Sequence, residues 1–193
     1  MTTTTLFLLR HAESAPSADL PEPEWPLSPT GEEQALSLCD ILPTLKIDHI
    51  YSSPYPRAVA TAAPFAERAG LTVDIAPDLR ERKLVEGFVD DWLETLEKSW
   101  TDFSFARPNC ESSAACQERV DRCIADLVEK HPGETLLLSS HGNAIGLYLN
   151  SLDPAYGFAQ WRQMRNPDLF RILYREIGPI WDTGFTFSPH GSA

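Results

Sequence analysis

Hydrophobic and polar positions along this chain alternate between two periods. Thr4 to Leu9 (TTLFLL) is a short apolar run of strand length, built to be buried, and it stops abruptly at Arg10, His11 and Glu13. A proline-rich loop, Pro16 to Pro26, leads into LSPTGEEQALSLCDIL, where Ser28 caps a helix with Pro29 in its first turn, or Thr30 pairs with Glu33 as a capping box. That helix is expected to end near Leu42. DHIYSSP reads as a short strand ending at Ser52, RAVATAAPFAERAG as a helix stopped by Gly70 and kinked or shortened by Pro64, and LTVDI as a third strand.

From Pro77 to Asn109 the pattern is mixed, with Trp92, Leu93, Leu96 and Trp100 at helical spacing; the segment 77–113 is expected to form a cap. Val120, Ile124, Leu127, Val128 and His131 then mark one face of an amphipathic helix that Pro132 and Gly133 terminate. TLLLSSHG repeats the form of the opening stretch, a buried strand ending in a histidine, here His141, with a helix predicted from Asn143 to Leu152. Phe170–Tyr174 and Trp181–Phe187 are predicted as edge strands. Strands alternating with helices in this way predict an α/β fold, a single-domain three-layer sandwich over residues 1–193 with a mostly parallel sheet and helices on both faces.

Composition narrows the partners. The chain has 193 residues, 42% hydrophobic and 23% charged, enough for one core without metal or disulfide staples. Its formal net charge of −12, with no run of Lys or Arg, argues against nucleic acid or an anionic membrane as partner. An anionic ligand would need a local cationic pocket. Leu6–Leu9 is too short to span a bilayer and no signal-peptide pattern precedes it, so a cytoplasmic location is expected. Cys39, Cys110, Cys116 and Cys123 form no C-x-x-C pair and read as buried thiols.

Two parallel strands that each end in a histidine bring both imidazoles to one sheet edge, where open α/β sheets bind ligands. Metal ligation would want a third partner at a recognisable spacing, and neither H-E-x-x-H nor a Cys/His cluster is present. Arg10 beside His11, and Arg57 at the start of the helix after the second strand, favour an anion instead. His49, His131 and His190 read as structural or exposed.

In these motifs the chain resembles the histidine phosphatase superfamily, with its phosphoglycerate mutase-like fold. The matching stretches are LLRHAES, with Arg10, His11 and Glu13; YSSPYPRAVATA, with Ser52, Ser53, Arg57 and Thr61; LRERKL, with Glu81; and SSHGNAIG, with His141 and Gly142. They stand in the family's order. The resemblance implies phosphoryl transfer without metal or cofactor on a small phosphorylated substrate. His11 would attack phosphorus and become a phosphohistidine, and Arg10, Arg57 and His141 would surround the phosphoryl oxygens. Glu81 would protonate the leaving alkoxide and then activate water. Ser17 and Gly142 join Arg10 and Arg57 as phosphate-binding positions.

Departures from the family pattern are Ala12 in place of a glycine, Ser17 where many members carry an asparagine, and Val85 and Cys110 in the cap. The leading expectation is a phosphatase acting on a small monoester. A cofactor-dependent phosphoglycerate mutase and a non-catalytic phospho-ligand-binding protein stand as alternatives. Substrate identity and oligomeric state stay open at this level.

Overall fold

Leucine-rich strands that face helices on both sides set the architecture. In the structure, a computed structural model that describes residues 3–188, six strands form one sheet. They are β1 (Thr4–Arg10), β2 (His49–Ser52), β3 (Val73–Ile75), β4 (Thr135–Ser140), β5 (Asp168–Arg175) and β6 (Gly178–Trp181). Their order is β3-β2-β4-β1-β5-β6. β3, β2, β4 and β1 run parallel, whereas β5 and β6 are added antiparallel. Purely apolar runs such as LFLL and LLL are what a strand covered on both faces requires.

Six helices accompany the sheet: α1 (Pro29–Ile41), α2 (Pro56–Ala69), α3 (Trp92–Thr101), α4 (Ser113–Lys130), α5 (Gly142–Leu152) and the single turn α6 (Phe158–Trp161). Side chains from successive strand positions go to opposite cores. Leu6, Leu8, Leu136 and Leu138 pack with Leu96 and Trp100 of α3, Val120 and Ile124 of α4, and Ile145 and Tyr148 of α5. Phe7, Leu9 and Leu137 pack on the other face with Leu38 of α1 and Ala62, Phe65 and Ala66 of α2. The sheet is thus the middle of three layers. Each leucine buried in it contributes roughly 1.5–3 kcal/mol.

Local signals account for most boundaries. Ser28 caps α1, its hydroxyl accepting the Gly31 amide at 3.0 Å with Pro29 in the first turn, and the alternative Thr30–Glu33 box is not used. Gly31 has no room for a side chain, since a Cβ there would stand 2.0 Å from the Glu13 carbonyl oxygen. Gly70, at φ 69°, closes α2. α4 stops at His131, followed by Gly133 at φ 83°.

Two expectations are corrected. Pro64 neither shortens nor interrupts α2, which runs from Pro56 to Ala69. The carbonyl that Pro64 leaves without an intrahelical donor belongs to Ala60, an exposed residue whose oxygen water can reach. The second concerns the C-terminal strands. Phe170–Tyr174 lies in β5, which is internal between β1 and β6, so the sheet edges are β3 and β6. β6 ends at Trp181, where the predicted strand was to begin, because a turn at Glu176–Ile177 with Gly178 at φ 105° reverses the chain early. Phe185 and Phe187 pack against the α1/α2 core instead of joining the sheet. His190 lies outside the described residues.

Candidate active site

β1 and β4 are neighbours in parallel register, with Arg10 opposite Ser140, so the residues that follow them emerge side by side. The His11 amide donates to the Ser140 carbonyl at 3.0 Å, which extends the ladder one step beyond the strands. The His11 and His141 rings meet edge to face with centroids 5.1 Å apart. This is the carboxyl edge of the sheet, at the point where the chain has gone outward from β1 to β2 and returned to place β4 between them.

His11 is held by its own backbone. Nδ1 lies 2.6 Å from the Ala12 carbonyl, so that nitrogen carries the proton and Nε2 presents its lone pair. Arg57 Nε donates to Nε2 at 3.3 Å. Burial and the Arg57 charge push the His11 pKa down to about 3, so the ring is neutral at physiological pH. Around it, Thr61 Oγ1 accepts the Ala12 amide at 2.9 Å and donates to the Arg57 carbonyl, and Asn166 Nδ2 donates to the His11 carbonyl at 2.8 Å. Ala12 does not adopt positive φ, which is why its Cβ is tolerated.

His141 is wholly buried and is also held well below its ordinary pKa, chiefly by burial and then by the charges around it. Its Nε2 lies 2.6 Å from Ser53 Oγ, while its Nδ1 is buried without a partner. Arg10 donates through Nη1 to the Met164 carbonyl at 2.7 Å and keeps Nε buried and unpaired. These are buried polar atoms on two adjacent groups, and the oxygens of an anion are acceptors that both could bond. Gly142 packs against this arginine, since a Cβ there would stand 3.2 Å from the guanidinium carbon.

Glu81 comes from the loop after β3. Leu79 of that loop is fastened to β4 by a hydrogen bond of 2.7 Å from Ser140 Oγ to its carbonyl. Arg119 of α4 donates to the Asp78 and Arg80 carbonyls at 2.6 and 3.1 Å. The Glu81 carboxylate then sits at the N-terminus of α5, accepting the amides of Arg82, Asn143 and Ala144 at 2.8, 3.0 and 3.1 Å. Glu86, the alternative carboxylate in LRERKLVEG, is exposed and paired with Lys83 at 2.6 Å.

Arg57 is only 2% exposed, and its fork is occupied. Nη1 donates to the Glu22 carbonyl at 2.8 Å and Nη2 to the Glu22 carboxylate. Burial raises the pKa of that carboxyl, with Arg57 pulling it back down. The arginine also lies over the Tyr55 ring, 5.0 Å from its centroid. Ser17, from the same loop as Glu22, uses its hydroxyl to accept the Asp19 amide at 3.1 Å. Glu22, not Ser17, is therefore the loop residue that reaches the arginine.

The sequence reading did not single out Glu22, Arg82 or Asn166. Arg82, 2% exposed, stands behind Glu81, bonded to Ser113 and donating to Asn143 Oδ1 at 3.3 Å. Only its place next to Glu81 in LRERKL hinted at a role. The segment Trp92 to Phe105 divides: Trp92 and Leu93 are exposed, whereas Trp100 is buried against Phe103, Tyr156 and Trp161.

A profile of the histidine phosphatase superfamily, branch 1, matches residues 6–182. The chain belongs to that superfamily. As a histidine phosphatase it is 30% identical over 185 residues to a probable phosphoglycerate mutase GpmB of Enterobacter sp. (strain 638), covering 89% of this chain and 85% of that one. A relative of the same name from Salmonella arizonae is 31% identical over the same shares. Among solved structures, Bacillus stearothermophilus YhfR superposes with a TM-score of 0.81 at 22% identity, over 97% of this chain and 100% of that one. A mycobacterial glucosyl-3-phosphoglycerate phosphatase in complex with inorganic phosphate gives 0.77 at 22% identity, over 97% and 99%. These likenesses establish the phosphoglycerate mutase-like fold of this histidine phosphatase. No helix among the described residues is long and apolar enough to cross a membrane.

Proposed function

We propose that this chain is a cytoplasmic phosphatase that hydrolyses a small phosphate monoester through a phosphohistidine on His11, without a metal in the reaction. The observation that carries the reading is the state of His11: a neutral ring, locked by Ala12 in the tautomer that exposes Nε2, and met there by a buried arginine. A nucleophile must have an unprotonated lone pair and its target's charge balanced: the tautomer supplies the first, the Arg57 Nε hydrogen bond to Nε2 giving way to phosphorus, and the arginine's charge supplies the second.

In the first half-reaction, Nε2 attacks phosphorus in line, forming an N–P bond as the P–O bond to the alcohol breaks. Arg10, Arg57 and His141, with the Gly142 backbone, hold the equatorial oxygens. The Arg57 fork becomes available to the phosphoryl group when Glu22 withdraws. Glu81 gives its proton to the departing alkoxide. Its Oε1 accepts the Arg82 and Ala144 amides and its Oε2 accepts the Asn143 amide and, at a long 3.5 Å, Asn143 Nδ2; in this reading the proton takes the place of that weakest bond on Oε2. In the second half-reaction Glu81 takes a proton from water, whose oxygen attacks phosphorus and releases His11. Segment 77–113, which carries Glu81, acts in this reading as the cap over the alcohol side of the substrate.

The test is phosphate release from a panel of small monoesters with EDTA present, comparing the native chain with His11→Ala. Release that survives chelation and vanishes in the variant, with acid-labile phosphate trapped on the native protein, is expected. Release abolished by EDTA, or undiminished in His11→Ala, would overturn the reading. The names of the 30–31% identical relatives favour a second reading, a phosphoglycerate mutase. Interconversion of 3- and 2-phosphoglycerate faster than phosphate release would select it.

A further inference from the structure

Away from the active site, three side chains converge that the phosphatase chemistry does not use. His131 ends α4, Glu134 stands just before β4, and His49 opens β2 on the neighbouring strand. Their candidate ligand atoms all lie within 4.8 Å of one another. We propose that His49, His131 and Glu134 form a binding site for a divalent transition cation of the zinc class, at the end of the sheet opposite the active site.

The geometry is close to what such an ion needs. His49 Nε2 and His131 Nδ1 both point at the same Glu134 oxygen, at 3.0 and 2.8 Å. Ligands about 2.0–2.1 Å from a tetrahedral ion stand roughly 3.4 Å apart. Opening each contact by about half an ångström makes room for the cation in place of the shared hydrogens. The half-exposed His49 and Glu134 supply that movement and an entry path, while His131 stays fixed. The two rings are inclined at 36° with centroids 4.0 Å apart, and a small further rotation of His49 brings the Nε2 that already faces Glu134 onto the ion. Two imidazoles and one carboxylate exclude calcium and magnesium, which take oxygen donors, and leave the fourth position to water.

The surroundings fit a ligand shell. His131 Nε2 lies 2.9 Å from the buried Tyr51 hydroxyl, so a coordinating Nδ1 leaves the ring proton on Nε2, donated to Tyr51. Lys130 also donates to that hydroxyl at 2.9 Å, which directs its charge toward the phenol oxygen. Thr4 Oγ1 ties the turn, donating to the His131 carbonyl at 3.2 Å and accepting the Gly133 amide at 2.7 Å. The bound ion clamps the start of β2 to the α4–β4 turn. β4 is six residues long, so at about 3.3 Å per residue this clamp sits roughly 20 Å from His141, too far to take part in phosphoryl transfer.

The experiment is titration of the untagged full chain with Zn2+ by calorimetry, and with Co2+ by its visible ligand-field bands. It compares the native protein with His49→Gln, Glu134→Gln and, because the active site holds its own imidazole pair, His11→Gln. One equivalent of metal should bind to the native chain and to His11→Gln, and bind at least ~10–100-fold more weakly to the other two. Zn2+ should raise the melting temperature of the native chain and not that of His49→Gln, whose monoester hydrolysis in EDTA should be unchanged. Absence of binding, equal affinity in all four proteins, or loss confined to His11→Gln would each overturn the proposal. Should Glu134→Gln fail to fold, His49→Gln decides alone.

Discussion

Replacing Glu22 by glutamine should tighten the binding of phosphate. Arg57 is nearly inaccessible and both terminal nitrogens of its fork are spent on Glu22, one on the carboxylate and one on the backbone carbonyl. A phosphoryl group therefore competes with Glu22 for this arginine. A hydrogen bond to a charged group contributes about 1.5–3 kcal/mol. The Glu22 side chain is 42% exposed, and screening reduces that to about 1 kcal/mol for an ion pair of this kind. Removing the charge should lower the inhibition constant for phosphate about fivefold, since 1.4 kcal/mol corresponds to tenfold. The Michaelis constant should fall by a similar factor with kcat unchanged. The assay is competitive inhibition of p-nitrophenyl phosphate hydrolysis by orthophosphate at fixed pH, for the native chain, Glu22→Gln and Glu22→Ala. Burial raises the Glu22 pKa, so protonation silences the competitor as pH falls, and native and variant constants should converge toward acid pH. An inhibition constant unchanged or higher in both variants, at unchanged melting temperature, would refute competition and make Glu22 a group that orients Arg57.

Four further outcomes are expected. His11 is displaced from an ordinary histidine pKa of 6.5 to about 3, so the acid limb of kcat/KM should show no histidine titration at 6–7; a limb there that disappears with His11 would contradict the assignment. The same displacement favours the folded state fully above pH 6.5, and that contribution is lost as pH falls from 6.5 toward 3, because the unfolded chain binds the proton first; denaturant melts across this range should show stability declining with acid. Ser53→Ala leaves the buried Nε2 of His141 without its 2.6 Å partner; if the usual cost of an unsatisfied polar group, about 1–3 kcal/mol, falls on the transition state that His141 contacts, kcat should drop about 5- to 150-fold, with Ser53→Thr recovering part of it. Gly31→Ala drives a Cβ into the Glu13 carbonyl and should destabilise the fold by about 1–3 kcal/mol in urea melts, whereas Gly70→Asn meets no neighbouring atom and should cost less, only the strain of an L residue at a left-handed φ.

Much of this molecule is written locally. LFLL and LLL specify strands covered on both faces, Ser28 and Pro29 start α1, and Gly70 stops α2, because backbone propensity, capping and two-sided burial act over a few residues. Arg10, His11, Arg57 and His141 were legible for the same reason, each sitting at a strand end or helix start whose position local pattern predicts, whereas Glu81, in the loop after β3, was legible only through its motif's resemblance to the family. Pairings between distant segments were not. That β5 lies inside the sheet follows from its antiparallel register with β1, and a local apolar pattern does not say which neighbour a strand will find. Phe185 and Phe187 have the spacing of a strand, yet the early turn at Gly178 sends them to the core. The chain alone determined the strands of the parallel core, the start and stop signals of most helices and the residue types that meet an anion. Only the tertiary structure decided that Glu22 closes on Arg57 and that His49 meets the His131–Glu134 turn, since side chains separated by 35 and 85 residues come together through the sheet order and not through sequence spacing.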